Sequence, residues 1–146
     1  SIIPTNGTMV DITGDRPVIA GRVETGRTYL DGSVLIGAMD GVVRDRIRMA
    51  LNGVVMVTVL LDEDDRPLGD AWVEMSGLAE TGKSGRPLAD EIEADLTEFL
   101  GRADTRTLTD DDKLEEQLRR IARQVSMEEV GKKPEAIVVI SRLATE

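Results

Sequence analysis

Residues 54–61 read VVMVTVLL, a run in which only Thr58 is polar. A strand with one face in water alternates apolar and polar side chains. This one does not, so both of its faces must be covered by something apolar. The stretch 136–143 (AIVVISRL) behaves the same way over its first half. A third run, Ala71–Ser76 (AWVEMS), follows the first after a turn-rich DEDDRPLG loop, and that short connection predicts an antiparallel pair. With one Phe, one Trp and one Tyr in 146 residues, the core must be aliphatic.

Helical periodicity fills the gaps between these runs. In residues 40–51, Val43, Ile47 and Leu51 recur at four-residue spacing, with Asp40 to cap the helix and Gly53 to stop it. Pro87–Leu100 starts on a proline suited to a first turn and carries the stripe Leu88, Ile92, Leu96, Phe99 and Leu100. Asp110–Val125 carries Leu114, Leu118, Ile121 and Val125, with Thr109 as the expected cap and Glu115–Arg119 and Glu116–Arg120 as favourable pairs one turn apart. The order ββααβ predicts an α+β fold, a small three-stranded sheet packed on two helices. Before it, residues 1–36 are broken by turn dipeptides such as Asn6-Gly7, Thr25-Gly26 and Asp31-Gly32 around short β-like runs at Thr8–Ile12 and Val18–Val23. These predict a β-hairpin-rich segment that cannot bury a core of its own. Two helices cover one face of a three-stranded sheet. The other face requires either residues 38–51 or a second protein surface. Trp72 is expected opposite Val73 and Met75, which makes it a candidate interface residue.

The chain has no histidine and no cysteine. Imidazole and thiolate supply most nucleophile-activating bases and nearly all tight zinc sites. No catalytic, cofactor-binding or metal-ligating residue is therefore assigned. The formal charge of −10 disfavours autonomous polyanion binding, and aromatic stacking platforms are nearly missing. The best basic group is Arg44, Arg46 and Arg48, read as a solvent or intersubunit face or as a contact to RNA phosphate. Gly77–Ser84 matches GxxxxGK[ST], but Gly85 and Pro87 interrupt the helix that must follow a phosphate loop, and the strands for a parallel sheet are missing. Asp62–Asp65 lacks the alternating ligand spacing of a calcium loop and reads as a solvated hairpin loop. Asp110–Asp112 is explained by helix capping. The apolar runs are strand-length, well short of a membrane span. No leader pattern opens the chain, and its start at Ser1 in mid-pattern is expected of a fragment. Lack of cysteine fits a reducing cytoplasm.

From about residue 3 onward the chain runs IPTNGTMV, GRVETGRTYLDG, VVRDRIRMALNGVVMVTVLLD and GKKPEAIVVISRL. This resembles the C-terminal part of bacterial ribonuclease J over nearly its whole length. The resemblance implies a parent with a metallo-β-lactamase body, an inserted β-CASP domain, a linker and a small C-terminal domain. It places residues 1–37 at the end of the catalytic body and linker, and residues 38–146 in the C-terminal domain. It implies a cytoplasmic, metal-dependent, usually zinc-bound enzyme that degrades or processes RNA from the 5′ end and also cleaves internally. The C-terminal domain is expected to support dimerisation and activity without being catalytic itself. The partners implied are a second copy, the parent's catalytic domains and, through the intact enzyme, RNA, with no membrane. The family's metal ligands lie in a histidine-rich motif that has no counterpart here, so none is carried over.

Overall fold

The computed structural model describes residues 1–38 and 40–144. The chain divides into two compact units, Ser1–Arg44 and Asp45–Glu146.

In the first unit, β1 (Thr8–Asp11) pairs antiparallel with β2 (Val18–Arg22), and β3 (Thr28–Asp31) with β4 (Val34–Gly37). The first pair matches the β-like runs of the sequence. The second was marked only by its Asp31-Gly32 turn, because four-residue strands are too short to show a period. None of the described residues here is buried, as expected of isolated two-stranded ribbons. Ile19, Leu30 and Leu35 stand in solvent.

Helix α1 (Gly41–Asn52) follows. Asp40 caps it through its side chain, which accepts from the Val42 amide at 3.1 Å. Gly53 ends it at φ +76°, and a Cβ there would lie 2.7 Å from the Gly77 carbonyl oxygen, so the position demands glycine twice over. No residue of α1 is buried. The cover expected from residues 38–51 is thus absent: Ile47 and Leu51 point their apolar surface to solvent.

The second unit is built on β5 (Val54–Asp62), which is the central strand of a sheet ordered β6-β5-β7. On one side β6 (Trp72–Ser76) pairs antiparallel, and on the other β7 (Glu135–Leu143) pairs parallel with Val54 opposite Glu135. Side chains alternate along a strand, so Val55, Val57, Val59 and Leu61 share one face and are completely or almost completely buried. Helix α2 (Leu88–Arg102) lays Leu88, Ile92, Leu96 and Leu100 against them, and α4 (Asp111–Val130) adds Leu114, Leu118, Ala122 and Val125. Each stripe repeats every three or four residues, the spacing of one helical face. Two side chains of α2 also serve the sheet edge: Thr97 Oγ1 accepts from the Ala71 amide (3.1 Å) and Glu93 Oε1 from that of Val73 (3.0 Å).

The helical layer corrects two sequence expectations. A short helix, α3 (Thr105–Thr109), occupies the connection, with Asp104 as its cap. Thr109 therefore closes α3 instead of capping α4. Asp110 caps α4, its side chain accepting from the Lys113 amide at 3.3 Å. Val139, in the run whose lack of alternation predicts cover on both faces, lies on the edge strand β7 and is 47% exposed, because its register opposite Thr58 puts it on the face away from the helices.

Arg142 near the end of β7 ties three loops together. Its Nε meets Asp65 Oδ1 at 2.6 Å, and its two terminal nitrogens grip Asp111 at 2.7 and 3.0 Å. The hydrogen bond from Arg142 holds the Asp111 carboxyl below its ordinary value of 3.8. A depressed carboxyl contributes stability above its unfolded pKa and loses it as pH falls through the folded one. Arg142→Ala should therefore lower stability at neutral pH by about 1 kcal/mol, since the groups are partly exposed. The gap between variant and parent melting temperatures should close below about pH 4; a gap independent of pH would assign the loss to packing alone. Val57→Asp should cost several kcal/mol by burying an unpaired charge. Val139→Asp should leave the melting temperature of the monomer nearly unchanged, and equal losses at both sites would contradict the two-faced sheet.

Candidate functional site

The face of the sheet turned away from the helices carries large apolar side chains open to solvent. Its rows follow from register: Trp72, Thr58 and Val139 lie across one line, Glu74, Met56 and Ile137 across the next. Leu60 extends the central strand. Trp72 is 63% exposed, and Met56, Ile137 and Val139 are each nearly half exposed. Trp72 thus lies opposite the buried Val73, as strand alternation requires. Its indole Nε1–H reaches Glu74 Oε1 at 3.4 Å, which leaves the ring itself on the surface. Tryptophan and methionine are enriched in the cores of protein interfaces, where charge is depleted, and Glu74 is the lone carboxylate in these two rows.

A second feature is electrostatic. A groove of about 400 Å³ is lined by Arg48, Asn52, Arg119, Arg123, Lys133 and Glu135, among others. The same cations Arg119, Arg123 and Lys133 continue into an adjoining groove of about 580 Å³ together with Arg120 and Met127. Arg119 and Arg123 stand one turn apart on α4. Arg119 is partly engaged, donating from Nε to the Ala136 carbonyl (3.3 Å) and pairing with Glu115. The Arg123 Nε is buried without a hydrogen-bond partner among the described residues.

Of the three arginines singled out in the sequence, all are exposed on α1, and Arg48 alone lines this groove. Arg123 and Lys133 were missed as site residues. The signal for Arg123 was hidden, since arginines in the second half of a helix are explained by its dipole. Lys133 sits in the Gly131-Lys132-Lys133-Pro134 segment that carried the resemblance. Gly131 ends α4, Lys132 Nζ holds the Leu51 carbonyl at 3.2 Å, and Pro134 is buried, so those residues have structural tasks.

The loop 77–84 is built against phosphate. The amides of Lys83 and Ser84, which a phosphate loop would turn to its ligand, donate to Glu129: to its carbonyl at 3.0 Å and its carboxylate at 3.0 Å. A Cβ on Gly82 would lie 2.5 Å from that carbonyl, so the loop is pressed onto the end of α4. In the acidic loop, Asp62 Oδ1 accepts from the amides of Asp64 and Arg66 at 2.9 Å. Among the described residues, no group of three or more acidic side chains converges to hold a metal ion. Without imidazole or thiolate, the donor set does not fit the zinc implied for the parent.

A profile of the ribonuclease J C-terminal domain matches residues 41–143, from the start of α1 to the end of β7. The chain belongs to the ribonuclease J C-terminal domain family. It is 29% identical over 96 residues to ribonuclease J of Mycolicibacterium smegmatis, an alignment covering 65% of this chain and 17% of that protein. It is also 29% identical over 141 residues to ribonuclease J of Sinorhizobium meliloti, covering 94% of this chain and 24% of that protein. The chain thus spans at most about a quarter of the curated relatives it matches. The ribonuclease J resemblance of the sequence is upheld. No helix among the described residues is long and apolar enough to cross a membrane.

Calorimetry with ATP or GTP should give no saturable heat, since the Lys83 and Ser84 amides are already spent on Glu129. Micromolar binding abolished by Lys83→Ala would contradict this.

Proposed function

We propose that this chain is the non-catalytic, C-terminal assembly part of a ribonuclease J-like enzyme, pairing subunits so that the catalytic bodies are held in register. In this reading residues 1–37 finish the catalytic body and linker, and residues 38–146 form the assembly domain. The parent is a cytoplasmic, metal-dependent 5′–3′ exo- and endoribonuclease whose zinc ligands lie outside this chain. The observation that carries the reading is the open apolar face made by Met56, Leu60, Trp72, Ile137 and Val139.

Magnitude sharpens it. Three strands spaced about 4.8 Å apart and at most about 30 Å long give a footprint near 400 Å². A standard interface buries roughly 800 Å² per partner. The sheet face supplies about half of that, so pairing draws in further apolar surface. The exposed Ile47 and Leu51 of α1 are suited to this. Association of the isolated chain is therefore concentration-dependent, and the complete enzyme adds the rest.

The test uses the complete parent. Deleting residues 38–146 should shift it toward monomer and lower RNA turnover, with the catalytic metal retained. Ile137→Asp, with the fold intact by circular dichroism, should act in the same direction but less. A truncated enzyme that remains a full dimer with normal turnover would remove the assembly role.

A further inference from the structure

We propose that the groove between α1, α4 and the Lys133 turn is a contact site for the phosphate backbone of single-stranded RNA, gripped by Arg48, Arg123 and Lys133. The proposal rests on the reading of the parent as a ribonuclease, and places an RNA contact where the sequence alone pointed only to α1.

The chain is strongly acidic, at −10, yet this groove collects cations. Its lining holds four of them, Arg48, Arg119, Arg123 and Lys133, against one carboxylate, Glu135. Low-dielectric walls on either side concentrate the field of such a cluster. Arg119 is committed to Glu115 and to the Ala136 carbonyl, which makes it a wall of the groove more than a hand. Arg123 has a buried Nε without a partner among the described residues. That nitrogen is closed to solvent, so the groove meets a phosphate through the terminal nitrogens of the Arg123 guanidinium, whose planar fork matches phosphate oxygens.

The layout favours a strand over a lone ion. The three cations assigned to the contact come from three separate segments, α1, α4 and the turn before β7, and are spread along the groove instead of converging from one element. Arg120 extends the cations into the adjoining groove, where Glu116 and Glu128 also line the wall and Glu116 pairs with Arg120 at 3.7 Å, so the net positive charge is concentrated in the first groove. No aromatic side chain lines either groove, so bases find no stacking platform. Recognition is then of the backbone and independent of sequence, a positioning contact that guides RNA toward a catalytic body elsewhere. Repulsion from the rest of the acidic chain keeps this contact weak and salt-sensitive, as suits a substrate that must move.

The experiment is fluorescence anisotropy of an end-labelled single-stranded oligoribonucleotide titrated with the 146-residue chain over a series of salt concentrations. Three phosphate contacts give a slope of log K against log salt near −2, at about 0.7 per contact for single strands. Arg123→Gln combined with Lys133→Gln should weaken binding at low salt about tenfold or more and flatten the slope by about 1.4. A control of equal charge change, Arg22→Gln with Arg27→Gln in the first unit, should change affinity by less than about twofold. Circular dichroism and molar mass of the groove variant should match the parent, which separates this result from any failure of assembly. Equal weakening by both double variants, or no salt-sensitive binding by the parent chain, would overturn the proposal. So would displacement of the RNA by an oligoglutamate of matching charge at equal concentration, since that would assign the groove to acidic peptides.

Discussion

Everything in the larger unit depends on the one-sided burial of β5. Its residues Val55, Val57, Val59 and Leu61 have virtually no exposed surface, while Met56 and Leu60 between them stand open. The strand is apolar on both faces but has helices on one. At roughly 25 cal/mol per Å² of apolar surface removed from water, the buried face accounts for the stability of the domain. The open face is only partly removed from water in the monomer, and its remaining apolar surface is left as free energy available to a partner.

The other elements arrange themselves around that asymmetry. β6 and β7 inherit the two faces through register, so Trp72 and Val139 flank Thr58 on the open side. α2 and α4 fill the closed side, and α2 covers the β6 edge with Thr97 and Glu93. The cations of α4 fall to the side of the sheet, where the Lys132–Leu51 hydrogen bond brings α1 and the turn before β7 together. The apolar sheet face and the basic groove are thus different parts of one unit that approach each other along α1, whose Arg48 and Asn52 line the groove while Ile47 and Leu51 carry exposed apolar surface.

Much of this was legible in the residues. The runs at 54–61 and 136–143 announced strands, but the burial read from their lack of alternation holds for one face of β5 only, and no residue of β7 is fully buried. Pro87, Gly53 and the leucine stripes set α1 and α2 within a residue or two, but α4 runs five residues past the expected Val125 to Val130. What escaped has specific causes. α3 is a five-residue turn of helix held by Asp104, too short to show periodicity. The exposure of Val139 depends on pairing register, which a chain does not write locally. The Arg142 bridge and the meeting of Arg48 with Arg123 and Lys133 join residues far apart in sequence, so nothing nearby in the chain announced them. The apolar excess on β5 was visible, but the failure of residues 38–51 to cover it required coordinates.

Trp72 is the chain's single tryptophan and lies on the open face, so its accessibility to a neutral quencher such as acrylamide reports directly on whether that face is covered. The account predicts strong quenching at low protein concentration that falls, with a blue shift of the emission, as concentration rises and the molar mass approaches that of a dimer. A Trp72 equally quenched at every concentration, including conditions where the mass is dimeric, would show that subunits pair elsewhere and would contradict the role assigned to this face.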